Sequence, residues 1–396
     1  MSSVTPQPQR WGAVLAMSLA AFALVASEFM PVSLLTPLAA DLQITEGQAG
    51  QGISVSGVFA LLTSLVIAAV AARMDRKRLL MALTLLMIVS GSVVAFAPNY
   101  AVFMLGRALI GVAIGGFWSL SAATAMRLVE PAQVPRALAI VNGGNALATV
   151  IAAPLGSFLG GLIGWRGAFF CVVPVAVIAL AWLWLSLPAL KHSGAANTGN
   201  ALRLLKNPKV ALGMCAVSLF FMGQFMLFTY LRPFLEGVTR VEVSTLSLML
   251  LVLGLAGLAG TVLIEHLLKR HLYPTLIAIP LIMAGIALAL VAFGGSAIAT
   301  TVLLGCWGLV ATAAPVGWWT WLARALPDDA EAGGGLMVAI IQLAIAAGAT
   351  VGGVAFDLSG YQATFELSAA LLVVATLLAY LASRRTAHAR MASSTT

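Results

Sequence analysis

The sequence predicts an all-α integral membrane protein with twelve transmembrane helices in two pseudo-symmetric six-helix halves. Three observations lead to this prediction. The chain has 396 residues, of which 61% are hydrophobic and 9% are charged, whereas a soluble domain carries roughly 25% charged residues. Its apolar runs are as long as the roughly 20 residues that a helix needs to cross a bilayer. Its two halves also share a sequence pattern.

The apolar runs do not alternate with polar residues, so they indicate helices rather than the strands of a barrel. The first run follows the polar, proline- and glutamine-rich residues 1–10, and its length favours a retained helix over a cleaved signal peptide. Short polar turns separate most runs. The predicted spans are 11–38, 49–72, 79–97, 100–127, 137–163, 167–187, 210–234, 243–268, 272–293, 296–322, 333–357 and 364–383.

One long polar connector, at residues 188–209, divides the chain into two sets of six spans. The predicted organisation is an N-terminal tail, a first half, a central loop, a second half and a C-terminal tail. These segments cover residues 1–10, 11–187, 188–209, 210–383 and 384–396, respectively.

Lysine and arginine accumulate in the cytoplasmic loops of membrane proteins. With the N-terminus placed inside, only Arg166, Arg232 and Arg240 of the 21 basic residues fall outside, and Arg107 falls within a span. This asymmetry predicts that both termini and the central loop are cytoplasmic. The net charge of +8 then belongs to these loops, and no nucleic-acid partner is expected.

The two halves contain related segments. "PLGSFLGGLIGWRGAF" (154–169) aligns with "TVGGVAFDLSGYQATF" (350–365) at a constant offset. Halves related by a repeat are typical of transporters that rock about a central site. The pairs are Gly156 with Gly352, Gly164 with Gly360, Trp165 with Tyr361 and Phe169 with Phe365.

Glu28 lies deep within the first apolar run, in "LVASEFMPVSLL". The other acidic residues fall in loops or near span ends, and ionisable groups inside a membrane are costly and usually functional. Arg107 is predicted at a comparable depth. Desolvation and a nearby cation move the pKa of a carboxyl group in opposite directions, so we hypothesise that Glu28 carries a proton and that Arg107 tunes it. The alternatives are a structural carboxylate and an arginine that extends to the outer surface.

Three stretches resemble motifs of the major facilitator superfamily, in its drug:proton antiporter branch. "RMDRKRLL" (73–80) is similar to the loop that latches the cytoplasmic gate, which implies gating roles for Asp75, Arg76 and Arg78. "LGRALIGVAIGG" (105–116) resembles the motif that carries a buried arginine. "AAPLGSFLGG" (152–161) resembles the antiporter motif. In that motif, Pro154 would bend the helix, and Gly156 and Gly160 would allow close helix packing.

Further stretches, including "EFMPVSLLTPLAADLQITEGQAGQ" (28–51) and "APVGWWTWLARAL" (314–326), resemble the bacterial purine ribonucleoside efflux pumps within that branch. The resemblance implies proton-coupled export of inosine- or guanosine-like nucleosides by alternating access, in the bacterial inner membrane. Sugar exporters and multidrug pumps of the same branch share the helix 1 pattern. Sugar or multidrug efflux by proton antiport is therefore the alternative.

A nucleoside pocket needs aromatic faces for the base and amide or hydroxyl groups for polar contacts. Asparagine and glutamine are costly in lipid, so they line a cavity or pair between helices. Tryptophans near span ends are often interface anchors, and Trp321 is predicted to be one. The candidate substrate residues are Phe117, Trp118, Asn142, Asn145, Gln224, Phe228, Thr229, Tyr230, Trp318, Trp319 and Gln342.

The sequence contains no nucleophile–base set, P-loop or metal-ligand spacing, and Cys171, Cys215 and Cys306 lie far apart. We therefore predict a transporter rather than an enzyme, with no cofactor and no metal. The expected partners are a small-molecule substrate, protons and the lipid bilayer, and a monomer is sufficient for this architecture.

Overall fold

The computed structural model describes residues 10–71, 73–190, 201–326 and 329–394. These residues form helices and turns, with no strand in the described ranges, so the all-helical prediction is confirmed. The predicted N-terminal tail lies outside the described residues except for Arg10. Residues 191–200 of the predicted central loop, and the last two residues of the C-terminal tail, also lie outside them.

Twelve α-helical segments follow one another along the described chain. They are α1 (Trp11–Leu42), α2 (Glu46–Ala71), α3 (Arg76–Ala95), α4 (Tyr100–Ala125), α5 (Val134–Phe170), α6 (Val172–Ser186), α7 (Pro208–Thr229), α8 (Leu231–Phe234), α9 (Val243–Phe293), α10 (Ala297–Ala311), α11 (Ala314–Ala325) and α12 (Ala330–Ser394). Short 3₁₀ helices precede α5 and α7, and one π-helical turn, Leu235–Thr239, follows α8.

Ten stretches of the described chain are long and apolar enough to cross a membrane, so this is a multi-pass membrane protein. Two of them, Pro131–Ser186 and Ala332–Arg384, have 56 and 53 residues. At 1.5 Å per residue each would extend roughly 80 Å, far beyond a hydrocarbon core of about 30 Å. Both stretches contain a backbone break that divides them.

These breaks occur at Gly164 in α5 (φ 75°, ψ 164°) and Gly360 in α12 (φ 78°, ψ −172°). Positive φ with an extended ψ is accessible in practice only to glycine. The sequence alignment pairs these two glycines, and the structure gives them the same conformation.

The aromatic residues after the two glycines also have matching geometries. Trp165 meets Phe169 edge-on with ring centroids 6.1 Å apart. Tyr361 meets Phe365 edge-on at 6.0 Å. The sequence similarity between the two segments therefore corresponds to a shared structure.

The buried apolar side chains form two separate cores. Residues between Ala13 and Leu190, with Tyr230, form the first core. Residues between Val210 and Ala379, with Val32, Ile53 and Ala153, form the second. The few residues that pack into the opposite core come from α1, α2, α5 and the end of α7, so these segments take part in the contact between the two bodies.

Candidate functional site around Glu28 and Arg107

Arg107 of α4 is completely buried, so its side chain does not extend to a surface. Its Nε donates to the Gly52 carbonyl at 3.1 Å, and its Nη1 donates to the Ser27 carbonyl at 2.8 Å. Its Nη2 donates to the Glu28 carbonyl at 3.0 Å and to Ser56 Oγ at 3.1 Å. The guanidinium thus joins α4 to the middle of α1 and α2.

The partner of Arg107 on α1 is available because of a proline. The Ser27 carbonyl would normally accept the backbone N–H of residue 31, but Pro31 lies within α1 and has no N–H. A buried carbonyl without a partner is costly. Arg107 supplies the missing donor, which explains why a buried arginine and a mid-helix proline occur together.

Glu28 is 8% exposed. Arg107 contacts the Glu28 backbone carbonyl, and no ion pair joins the two side chains in the described structure. The side chain of Gln342 on α12 is instead the polar neighbour of the Glu28 carboxyl group from the other body. Because Glu28 belongs to the first body and Gln342 to the second, their side chains lie at the contact between the two bodies.

Arg232 of α8 is a second buried arginine, only 4% exposed. Its Nη1 donates to the Ser33 carbonyl of α1, and its Nε bonds to Glu236 at 2.8 Å. The Ser33 carbonyl lacks its usual helical donor because residue 37 is also a proline. Each mid-helix proline of α1 therefore leaves a carbonyl without its helical donor, and a buried arginine donates to that carbonyl instead. One of the two arginines belongs to each body.

An aromatic cluster adjoins Glu28. The ring of Phe29 stacks on Phe225 of α7 at 5.7 Å between centroids and meets Phe228 edge-on at 6.5 Å. Phe225 and Phe228 meet edge-on at 6.0 Å. Phe29 and Phe228 remain partly exposed, so part of the aromatic surface is free.

Gln224 lies on the same side of α7, one turn before Phe228. Its Oε1 atom is buried and has no hydrogen-bond partner. A buried acceptor beside partly exposed rings can accept a hydrogen bond from a planar ligand.

The part of α12 just before its break at Gly360 contacts the start of α2 from the other body. Asp357 Oδ2 accepts a hydrogen bond from Thr45 Oγ1 at 2.6 Å, and Oδ1 accepts one from the Gly47 backbone N–H at 3.0 Å. A carboxylate at a helix N-terminus satisfies free N–H groups and interacts favourably with the helix dipole. Asp357 therefore caps a helix of the opposite body.

This contact continues along α2 and α12 towards the middle of the molecule. Thr350 Oγ1 lies 2.8 Å from Ser54 Oγ, and Ser54 Oγ donates to the Ala346 carbonyl at 3.0 Å. A Cβ atom on Gly57 would lie only 2.9 Å from the Gln342 carbonyl oxygen. The two helices are therefore in close contact from Asp357 to the level of Gln342.

The predicted gating residues lie at the start of α3. Asp75 caps this helix by accepting the N–H groups of Lys77 (2.8 Å) and Arg78 (3.4 Å). The Arg76 N–H donates to the Leu190 carbonyl at 3.4 Å. All of these contacts stay within the first body.

The antiporter-like stretch of α5 packs against α1. Pro154 and Gly156 are buried. A Cβ atom on Gly156 would lie 2.6 Å from Ser33 Oγ, and one on Gly160 would collide with Leu34. These small residues therefore permit the close approach of α5 to the segment of α1 that follows Glu28.

The structure separates the remaining candidate substrate residues into buried and accessible groups. Phe117 is buried among α1 and α3 side chains, Trp318 packs between Phe220 and Trp321, and the Tyr230 hydroxyl donates to the Ala349 carbonyl at 2.7 Å. Thr229 is fully buried, and its hydroxyl has no partner. Those with accessible surface are Trp118, Asn142, Asn145 and Trp319.

The position of Trp321 differs from the one expected from the sequence, and Asn142 bonds within its own helix. Trp321 is 2% exposed, so the prediction of an interface anchor is wrong. The reason is that Gly213 of α7 leaves space for the indole ring in the second core. Asn142 is exposed, and its side chain donates to the Leu138 carbonyl of its own helix at 2.9 Å.

The sequence reasoning missed Phe29, Phe225, Arg232 and Asp357 as contacts between the two bodies. A signal was available for Arg232, because Glu236 follows it at the i+4 spacing of an ion pair. Pro31 and Pro37, four residues after Ser27 and Ser33, indicated that the carbonyls of these two serines lack their helical hydrogen-bond donors. The pairing of Asp357 with α2 left no local signal.

Comparison with known proteins agrees with this architecture. The profile of the Major Facilitator Superfamily matches residues 17–348. Among solved structures, the nucleoside transporter NupG matches with a TM-score of 0.77 at 13% identity, covering 93% of this chain and 98% of NupG. An inward-facing bacterial homologue of the lysosomal transporter Spinster matches with a TM-score of 0.76 at 16% identity, covering 96% and 98%. At these identities the likeness shows the fold alone.

Two relatives are more similar in sequence. "Transcription regulatory protein OpdE" of Pseudomonas aeruginosa is 62% identical over 387 residues, covering 97% of this chain and 96% of the relative. "Purine ribonucleoside efflux pump NepI" of Escherichia coli is 42% identical over 368 residues, covering 93% of each. The family match spans most of the chain and agrees with the helical architecture, so the chain belongs to the Major Facilitator Superfamily.

Proposed function

We propose that this protein exports purine ribonucleosides such as inosine and guanosine from the cytoplasm by proton antiport. The observation that carries the proposal is the placement of Glu28, a buried acid whose side chain lies at the contact between the two bodies, beside Gln342 of the second body. A change in its protonation alters the charge at that contact, so proton binding is coupled to the relative position of the bodies. The 42% identical nucleoside efflux pump supports the substrate class.

The proposed architecture has twelve spans in two halves, residues 11–187 and 210–383. It follows from ten span-length stretches, two of which are divided at Gly164 and Gly360. The two hydrophobic cores support the same division. The distribution of lysine and arginine supports cytoplasmic termini in a bacterial inner membrane.

In this orientation the α1–α2 connection faces outward, and the contacts from Asp357 to Gln342 close the outer side. Export by alternating access requires these contacts to separate so that the substrate can leave outward. Asp75, Arg76 and Arg78 lie at the opposite, cytoplasmic end, where we propose that they act in the inner gate. Protonation of Glu28 from outside would favour return to the inward-open state.

The test is a proteoliposome assay with radiolabelled inosine and an imposed pH gradient. Wild type should move inosine in response to the gradient, and Glu28→Gln should lose this response. The control is Glu366→Gln, which removes an exposed carboxylate. Inosine transport by Glu28→Gln with full gradient dependence would contradict the coupling role. Proton flux triggered by a sugar or a lipophilic cation, without inosine transport, would favour sugar or multidrug efflux instead.

A second candidate function, an effect on transcription, is suggested by the name of the 62% identical relative. Export of a small molecule lowers its cytoplasmic concentration, and any regulator that binds that molecule then responds. On this proposal the transcriptional effect depends on transport. Glu28→Gln should therefore abolish both, whereas a transcriptional effect that survives in this variant would indicate a separate activity.

A further inference from the structure

The three rings of Phe29, Phe225 and Phe228 form the aromatic contact between α1 of the first body and α7 of the second. Phe29 stacks on Phe225 with an interplanar angle of 24°, and Phe228 meets both rings edge-on. Phe225 is 6% exposed, while Phe29 and Phe228 keep part of their surface uncovered. Uncovered aromatic surface beside a polar group is suited to a planar ligand.

Gln224 supplies that polar group. Its Oε1 is a buried acceptor without a partner, although most buried polar atoms in proteins are hydrogen-bonded. Glu28, which precedes Phe29 on α1, already has the Gln342 side chain as its polar neighbour. The free acceptor next to the rings is therefore the Gln224 amide, and a ligand with an N–H group on its edge would satisfy it.

We propose that Phe29, Phe225, Phe228 and Gln224 form the subsite that binds the base of the transported nucleoside. This inference rests on the proposed function and identifies the part of the substrate that each group recognises. The rings bind the flat face of the base. The Gln224 amide accepts the N1–H of a 6-oxopurine through Oε1 and donates to its O6 through Nε2.

Several ligand classes fit this subsite less well. A sugar has no aromatic face, and a lipophilic cation has no N–H edge for the amide. Purine riboside has the same ring and ribose as inosine but lacks both N1–H and O6. A site that hydrogen-bonds a substrate group discriminates strongly against an analogue without it, so inosine and purine riboside are the critical pair.

The test measures equilibrium binding of radiolabelled inosine, and its competition by purine riboside, to the purified full-length protein. Wild type should prefer inosine by at least about tenfold. Phe225→Leu removes the ring on which Phe29 stacks while keeping an apolar side chain. The partly exposed ring of Phe29 then loses its support, and inosine binding should weaken by about tenfold or more. Gln224→Leu should weaken inosine binding and remove the preference over purine riboside.

The matched control is Phe96→Leu, because Phe96 is 72% exposed and lies outside the cluster. Its inosine affinity should equal that of wild type. Wild-type affinity in both Phe225→Leu and Gln224→Leu, with folding confirmed by an unchanged melting temperature, would overturn the subsite. A preference for inosine that persists in Gln224→Leu would overturn the amide's role.

Failure of the proposed function gives a different result. If wild type neither binds nor transports inosine, the same variants are tested for thermal stabilisation by planar N–H heterocycles such as hypoxanthine and uracil. Stabilisation that is lost in both Phe225→Leu and Gln224→Leu would support the subsite while rejecting nucleoside export. An absence of stabilisation by any of these compounds would reject both.

Discussion

Asp357→Asn is the most direct test of how the outer side closes. The carboxylate of Asp357 accepts hydrogen bonds from Thr45 Oγ1 and the Gly47 N–H, and both groups belong to the opposite body. Asparagine has the same shape but no charge, and its amide nitrogen cannot accept a hydrogen bond. The substitution therefore keeps the Gly47 contact and removes the charge and the acceptor for Thr45.

The expected magnitude follows from these two losses. A hydrogen bond to a charged group contributes about 1.5–3 kcal/mol, and a carboxylate at a helix N-terminus adds about 0.3–1 kcal/mol. Asp357 is exposed, so solvent reduces both contributions and about 1 kcal/mol is a suitable expectation. Because 1.4 kcal/mol corresponds to a factor of ten, Asp357→Asn should raise the ratio of outward-open to outward-closed molecules by about fivefold.

Spin labels at Gln43 and Gln362, two exposed residues on the side that we propose faces outward, would report the opening as a longer interspin distance. Cys171, Cys215 and Cys306 would first be replaced, because all three are exposed and free. Thr45→Val should produce a shift similar to that of Asp357→Asn. The double variant should add little, because each single change already breaks the same bond.

Additive shifts in the double variant would show that Asp357 and Thr45 act independently, which contradicts the observed pairing. A distance distribution unchanged by Asp357→Asn at low ionic strength would refute the role of this contact in closing the outer side. Glu366→Gln is the matched control, since it removes a nearby exposed carboxylate and should leave the distribution unchanged.

Three other predictions concern buried groups and backbone conformation. Arg107→Lys loses the planar fork that reaches α1 and α2 together. Because buried acceptors then lose their donor, it should lower the stability of folding by about 1–3 kcal/mol, seen as a lower melting temperature, and abolish inosine transport. Arg232→Leu removes the bond to the Ser33 carbonyl between the bodies, and the spin-label assay should show more outward-open protein than in wild type. Gly164→Ala places a Cβ on a residue with φ 75° and should cost about 1–3 kcal/mol. Gly143→Ala, in a regular helix with free space around it, should leave the melting temperature unchanged or raise it.

Features that depend on local sequence were predictable. Apolar runs indicated the helices, and the constant offset between two segments paired Gly164 with Gly360, which have the same backbone conformation in the structure. Glu28 was recognisable because burying an acidic side chain in an apolar helix costs free energy, whichever helices pack around it. Each of these inferences depends only on the apolar character of the bilayer, the helix period or the conformational range of glycine.

Contacts between distant segments were not predictable in the same way. Glu28 and Arg107 do lie together, but through the Glu28 backbone carbonyl rather than its carboxylate. Depth in the membrane placed the two residues at one level without fixing the direction in which each side chain extends. Asp357 and Thr45 are 312 positions apart, and only the packing of α12 against α2 brings them together.

The prolines of α1 are local sequence features that determine contacts between distant segments. Pro31 and Pro37 free the carbonyls of Ser27 and Ser33, and Arg107 and Arg232 then bind them. The Arg107 contacts lie within the first body, so they can persist while the two bodies move. The Arg232 contact joins the two bodies, so outward opening must break it or carry this part of α1 along. Glu28 lies between the two freed carbonyls of Ser27 and Ser33. A change in its protonation therefore acts on the segment of α1 that contacts Arg107 of the first body and Arg232 of the second.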